Sequence, residues 1–347
     1  MTDASLTPFF QPRGVVVVGA SREPTKLGYS MARNLVLSGY EGAIHFVNPS
    51  GGELFGRPIH PDVASVPDPV DLAVILTPAP TVAPVLRQCG QRGIRAAIIS
   101  SGGFRETGPD GAHMERELVS IAEEFGLRFI GPNCVGMMDL HLPCDTTFLQ
   151  PPSPPAGEVA FISHSGAICG AVSDWVRGQG FGLSYLISLG NQANVNETDT
   201  LAPVAADRHT KVITLYLEGV SDGRRFVEQA RRVTAEKPVI ALKVGRSAAG
   251  QRAAASHTGA LDTERERFMQ AMQARELLPQ LAAKARGSYM FVHLMEQDTH
   301  PMAYVVVLGL EACPHEPALL MAFRDRLAHR IRHEGEEPWK REYLTGC

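Results

Sequence analysis

GVVVVGASREPTKLG, residues 14–28, decides the fold. Four consecutive valines between Gly14 and Gly19 leave no polar face. The run therefore reads as a short strand buried on both sides, as in the middle of a parallel sheet. Gly19 allows a tight turn, and a helical stretch follows near 28–38 (GYSMARNLVLS). Backbone N–H groups at that helix start face outward, which suits a phosphate. Ser21 stands where the G-x-G-x-x-G fingerprint has its second glycine, so the turn departs from the dinucleotide pattern.

On either side of this unit the rhythm repeats. AIHFVN (43–48), DLAVILT (71–77), RAAIIS (95–100) and LRFIG (127–131) read as strands, with helical patterns at 80–92 and 112–125. Strands alternating with helices of this length predict an α/β, doubly wound parallel sheet. Ligands of such sheets bind at the carboxyl edge of the strands. That edge holds Gly19, Ala20 and Ser21, then Asn48 and Pro49, Thr77 and Pro78, Ser101 and Gly102, and Asn133 and Cys134. The second strand ends in Asn48 rather than Asp or Glu, so the acidic partner of a nicotinamide ribose is missing and NAD is disfavoured.

QPPSPPAG (150–157) is a proline-rich break, after which the alternation restarts. EVAFIS (158–163), LSYLISLG (183–190), KVITLYLEG (211–219) and PVIALKVG (238–245) read as strands. AICGAVSDWVRGQG, ETDTLAPVAAD and RRFVEQARRVTAE read as the helices between them. The chain is divided accordingly into 1–150, 156–262 and a tail, 263–347. Within the tail, RERFMQAMQARELLPQLAAKA and RDRLAHRIRHEGEE read as helices and MAYVVVLGL as a strand.

Composition bounds the function. The 347 residues hold 33 Lys and Arg against 37 Asp and Glu, a net charge of -4, so no basic field addresses nucleic acid. No apolar run reaches the roughly 20 residues of a membrane span, and no secretion signal is read at the N-terminus. Six scattered cysteines without a CxxC fit free thiols in a reducing cytoplasm. No metal-ligand spacing is read.

Three motifs carry chemistry in the second unit. ISHSGA (162–167) ends a strand and opens a helix, placing Ser163, Ser165 and Gly166 at a helix N-terminus fit for an anion. A hydrolase elbow would need glycines where Ser163 and Ala167 stand, so that reading is set aside. ASHTGA (255–260) puts His257 on a loop of small residues, with Arg246 and Arg252 near in sequence, where an accessible imidazole and guanidinium groups suit a passing phosphoryl group. Glu218 closes VITLYLEG at the carboxyl edge, and a carboxylate there can fix the tautomer of an imidazole.

Between about Pro8 and Leu261 the chain resembles the α-type part of NDP-forming acyl-CoA synthetases, the acetate–CoA ligase (ADP-forming) family related to the succinyl-CoA synthetase α subunit. The resemblance rests on VVGAS, TPAP, SSGGFRE, GPNCVG, ISHSGA, SLGN, LYLEG, LKVGRS and SHTGAL, in that order. It implies a Rossmann-like CoA-binding domain followed by a flavodoxin-like ligase domain. It further implies that His257 carries a phosphoryl group between acyl phosphate and ADP, that Glu218 orients it, and that Ser163, Ser165 and Gly166 hold the phosphate. Coenzyme A, a small carboxylic acid and ATP/ADP with Mg are the expected ligands. The nucleotide is expected to arrive through an ATP-grasp β-type subunit in a cytoplasmic hetero-oligomer. The family usually has Gln where this chain has His164; a neutral imidazole still donates one hydrogen bond toward the anion. After Leu261 the sequence leaves the family pattern. The alternative reading is therefore a non-catalytic CoA- or acyl-CoA-binding regulatory module, or a truncated member.

Overall fold

The computed structural model describes residues 4–243 and two strands beyond them, 289–296 and 302–309. The valine run forms β1 (Gly14–Val18), whose side chains are almost wholly excluded from water. Each buried valine contributes about 1.5–3 kcal/mol. Around it lie β2 (Ala43–Val47), β3 (Glu53–Leu54), β4 (Arg57–His60), β5 (Leu72–Ile75), β6 (Ala96–Ile99) and β7 (Arg128–Ile130). Their order is β3-β4-β2-β1-β5-β6-β7, parallel except for the β3–β4 pair. Val15 faces Ile44 on one side and Leu72 on the other. The chain reverses direction across the sheet between β1 and β5, which makes that gap the topological switch point. Helices α1 (Thr7–Phe10), α2 (Leu27–Leu37), α3 (Ala79–Arg92) and α4 (Pro109–Phe125) accompany this sheet. Gly28 lets α2 start hard against the first turn: a Cβ there would stand 2.0 Å from the Gly19 carbonyl oxygen.

The second sheet is built from β8 (Met137–Asp139), β9 (Cys144–Asp145), β10 (Ala156–Ser163), β11 (Leu183–Ser188), β12 (Val212–Leu217), β13 (Val239–Lys243), β14 (Tyr289–Glu296) and β15 (Met302–Gly309). Its order is β15-β14-β13-β12-β10-β11-β8-β9. The parallel strands run β11-β10-β12-β13-β14, the 2-1-3-4-5 order of flavodoxin, with the switch point between β10 and β12. Helices α5 (Gly166–Val176), α6 (Glu197–Ala206) and α7 (Gly223–Thr234) connect them.

Two features differ from the division read in the sequence. The second sheet takes β8 and β9 from before the proline-rich break, so the chain changes sheets at Gly136. These strands are short and antiparallel to their neighbours, and their pairing comes from the sheet they join rather than from any local run. The tail contributes β14 and β15, which carry the sheet past residue 262. The helices expected in the tail lie outside the described residues.

The sheets are joined along a continuous seam. Residues 191–195 run beside the end of β7: Asn191 N donates to Pro132 O (2.8 Å), Ala193 N to Gly131 O (3.0 Å) and Val195 N to Phe129 O (3.0 Å). Asn194 Oδ1 accepts from Phe129 N and Arg128 Nε. Asp199, almost buried, pairs with Arg128 at 3.1 Å and with Arg225.

Candidate functional site

The first-sheet residues singled out in the sequence lie together on one rim. Gly19 bonds to Val47 O, and Asn48 Nδ2 donates to Ala20 O (2.9 Å). Ser101 Oγ donates to Thr77 O (2.6 Å), and Asn133 N donates to Ser101 O (2.9 Å). The rim is thus stitched from β1 across the switch point to β7. Not every side chain on it is available to a ligand. Ala20 is buried, and Asn48 Oδ1 is taken by Ser50 N and Oγ, so Asn48 braces the turn. Cys134 is buried, donates to Ile99 O, and has its thiol pushed up to about 12 by burial. Its side chain is therefore spent on the protein. Thr77 Oγ1 is buried without a hydrogen-bond partner among the described residues.

The second rim begins at the end of β10. Ser163 Oγ donates to Ser165 O (2.9 Å) and accepts from Ser165 N (3.0 Å), so this hydroxyl shapes the loop. Ser165 caps α5 by accepting from Ile168 N. The opening N–H groups of α5, at Gly166 and Ala167, have no carbonyl within the helix to meet them. A Cβ on Gly166 would stand 2.6 Å from Val135 Cγ2, so glycine is what lets α5 begin against the GPNCVG turn. Val135 N in turn donates to Ser188 Oγ (3.1 Å). The candidate anion site therefore adjoins the Asn133–Cys134 end of the first rim, although the two belong to different sheets.

Glu218 follows β12 directly and, with Ser163, flanks the second switch point. Its backbone is held from two sides: its N–H donates to His164 Nδ1 (3.0 Å), and its carbonyl accepts from Lys243 Nζ (3.0 Å). The His164 ring does not point at the anion site, contrary to the hydrogen bond expected from it. Its side chain is 1 % exposed, turned inward with Nε2 3.4 Å from Glu197 Oε2. The His164 backbone N–H is also spent on the protein, donating to Tyr216 O (3.1 Å), so neither its ring nor its amide is turned to the anion site. His257 lies outside the described residues, as do Arg246 and Arg252.

Residues 13–139 match the CoA binding domain family, and residues 156–278 match the succinyl-CoA ligase like flavodoxin domain family. Over 254 residues the chain is 44% identical to the α subunit of acetate–CoA ligase [ADP-forming] II of Pyrococcus furiosus, covering 73% of this chain and 55% of that protein. The chain belongs to the NDP-forming acyl-CoA synthetase family. A second relative in that family, acetate–CoA ligase [ADP-forming] I of Archaeoglobus fulgidus, is 41% identical over 264 residues, 76% of this chain and 38% of that protein. Among solved structures, the dinucleotide forming acetyl-coenzyme A synthetase 1 of Ca. Korarchaeum cryptofilum, in complex with phosphate and ADP, superposes with a TM-score of 0.70 at 36% identity. That match covers 84% of this chain and 60% of that one. The chain spans between 38% and 56% of the length of these curated relatives.

Four side chains at or near these rims escaped the sequence reading. Arg22 lies in the β1–α2 turn, and its guanidinium would come within 3.0 Å of a Cβ on Gly52, so it reaches the β2 end of the first rim. Glu197, Asn191 and Lys243 reach their partners across the second sheet or the seam. Arg22 could have been found as the cation of the first turn. The other three carry no local signal, because their partners lie 25 to 85 residues away.

Proposed function

We propose that this chain is the CoA-binding and phosphoryl-carrying part of an ADP-forming acyl-CoA synthetase, acting with an ATP-grasp β-type subunit. The observation that supports this best is that Ser163, in register with Tyr216, and Glu218, the residue after β12, flank the flavodoxin-like switch point, beside the rim of a CoA-binding domain. In the direction of synthesis, His257 takes the γ-phosphoryl group of Mg-bound ATP on its partner, releasing ADP. A carboxylate oxygen then attacks the phosphorus of phosphorylated His257; the P–N bond breaks, giving acyl phosphate and leaving neutral imidazole. The CoA thiol, losing its proton, attacks the acyl carbon and releases phosphate. Each step moves one group, and the acyl phosphate supplies the leaving group that a free carboxylate lacks.

In this reading the N–H groups at Gly166 and Ala167 hold the migrating phosphate. Gly19, Ser21, Pro49, Thr77, Pro78, Ser101, Gly102 and Asn133 face CoA, with Ala20 and Cys134 contributing backbone and Asn48 shaping the turn. Glu218 orients His257. No helix among the described residues is long and apolar enough to cross a membrane. The four described cysteines are free, which suits a reducing compartment such as the cytoplasm.

The test is labelling with isotopic acyl phosphate, or with ATP plus the ATP-grasp subunit, followed by site mapping. An acid-labile, base-stable label at His257 that disappears in His257→Asn is the expected result. CoA binding with no label under either condition would leave a non-catalytic CoA-binding module in its place.

A further inference from the structure

The buried pair of His164 and Glu197 has no part in the phosphohistidine reading, yet it sits against the backbone of Glu218, to which that reading gives the orienting role. Both side chains are 1 % exposed. His164 Nδ1 accepts the Glu218 N–H at 3.0 Å, so the ring proton belongs on Nε2. Nε2 faces Glu197 Oε2 at 3.4 Å, a close approach without well-aligned hydrogen-bond geometry, and neither atom has another hydrogen-bond partner among the described residues. Glu197 is itself firmly placed. It is the first residue of α6, directly after Asn196, whose capping box with Asp199 fixes the helix start. Thr198 Oγ1 donates to its other carboxylate oxygen (3.2 Å). Asp199 anchors that same turn to Arg128 and Arg225.

A carboxylate, an imidazole and a backbone amide therefore stand in line, from α6 through the β10–α5 loop to the end of β12. The carboxylate favours the Nε2–H form of the ring, and that form is the one whose Nδ1 accepts an amide proton. A glutamine side chain offers the same two functions, an acceptor oxygen and a donor NH2. This is a physical reason why histidine can stand where the family usually has glutamine.

Resting on the phosphohistidine reading above, we propose that His164, backed by Glu197, is a positioning residue that fixes the Glu218 turn so that the Glu218 carboxylate meets His257. The ring does not touch the phosphate. It holds the peptide before the Glu218 Cα, from which the orienting carboxylate projects, and Lys243 holds the carbonyl of the peptide after it.

The experiment uses the full chain with its ATP-grasp subunit and three variants. His164→Gln keeps both functions and should label at His257 within about threefold of the wild type. His164→Leu leaves Glu197 buried without its partner, so instability alone could silence it. His164→Leu with Glu197→Leu removes both polar groups and is the decisive variant: it should fold and bind CoA, but label more slowly by on the order of 10–100-fold, as for a misplacement of about 1 Å. Nitrogen-15 spectra of the wild type at neutral pH should show the Nε2–H tautomer at His164. A folded double variant that labels at the wild-type rate overturns the positioning role, as does an Nδ1–H tautomer. A wild type that never labels defeats the phosphohistidine reading itself, and the positioning role with it.

Discussion

Asn191 Nδ2 donates to Glu106 Oε2 at 2.6 Å and to Glu115 Oε2 at 2.8 Å, so one amide from the second sheet bridges two carboxylates of the first. Arg105 closes the cluster by pairing with Glu115 and donating to the Asn191 carbonyl. Burial raises the Glu106 pKa, but hydrogen bonds from Asn191 and from backbone N–H groups, including those of Phe104 and Gly103, outweigh it and hold the group below its ordinary value. A depressed folded pKa adds stability that is full above the unfolded value and is lost as pH falls through the folded one. Asn191→Ala should raise the Glu106 pKa, shift the loss of this contribution to higher pH, and destabilise the protein by about 1–3 kcal/mol. Carbon-13 titration of the carboxyl groups and urea unfolding between pH 3 and pH 7 measure both; an unchanged Glu106 titration would break the assignment.

Gly28→Ala should displace the start of α2, because the added methyl meets a backbone oxygen that cannot rotate away. The expected cost is about 1–3 kcal/mol. Since the same turn carries Gly19 and Ser21, CoA affinity should fall in calorimetry while label at His257 from acyl phosphate persists. Unchanged CoA affinity would move the phosphates of CoA away from this turn.

Asp145 is buried in β9, and burial, opposed by the Thr147 hydroxyl and N–H, pushes its pKa from 3.8 to about 6. A raised folded pKa gives a contribution that is complete below the unfolded value and lost as pH rises through the folded one. The interval corresponds to roughly 3 kcal/mol at most. Asp145→Asn keeps the acceptor for Thr147 and should flatten stability against pH between 3.8 and about 6. Denaturant melts of both proteins across that range decide it, and parallel profiles would refute it.

Cys89, Cys134 and Cys169 have thiols pushed up to about 12 by burial, and Cys144 is raised as well by burial and by Asp145 and Asp139. The thiolate is the reactive form. Iodoacetamide at pH 8 should therefore spare all four in the native protein and modify them in denaturant, as read by peptide mass mapping. Cys134→Ala should retain CoA binding. Native modification of Cys134 that CoA suppresses would instead put its side chain in the pocket.

Ser165→Ala should cost about 1 kcal/mol through the lost helix cap. On the proposed function it should also slow phosphoryl transfer by about 10²–10³, with CoA affinity maintained. Rapid-quench labelling beside calorimetry separates the two, and lost CoA binding with normal labelling would reverse the assignment.

The sequence by itself determined the α/β class, the two sheets and most of their strands. A buried parallel strand must be apolar on both faces, and GVVVVG, LAVI and VITLYL announce that locally. It also determined that Gly19, Thr77, Ser163 and Glu218 stand at strand ends, because position along a strand is a local property. The short strands of residues 137–139 and 144–145 carry no such signal; they exist because an antiparallel edge of the second sheet was open to them. Only the tertiary structure decided that Ser163 and Glu218 share one switch point, since spatial strand order is set by packing between distant segments. Only it decided that Asn48, Ser163 and Cys134 spend their polar groups on the protein itself. The same holds for His164: sequence placed it beside a phosphate loop, and burial against Glu197 turned its ring the other way.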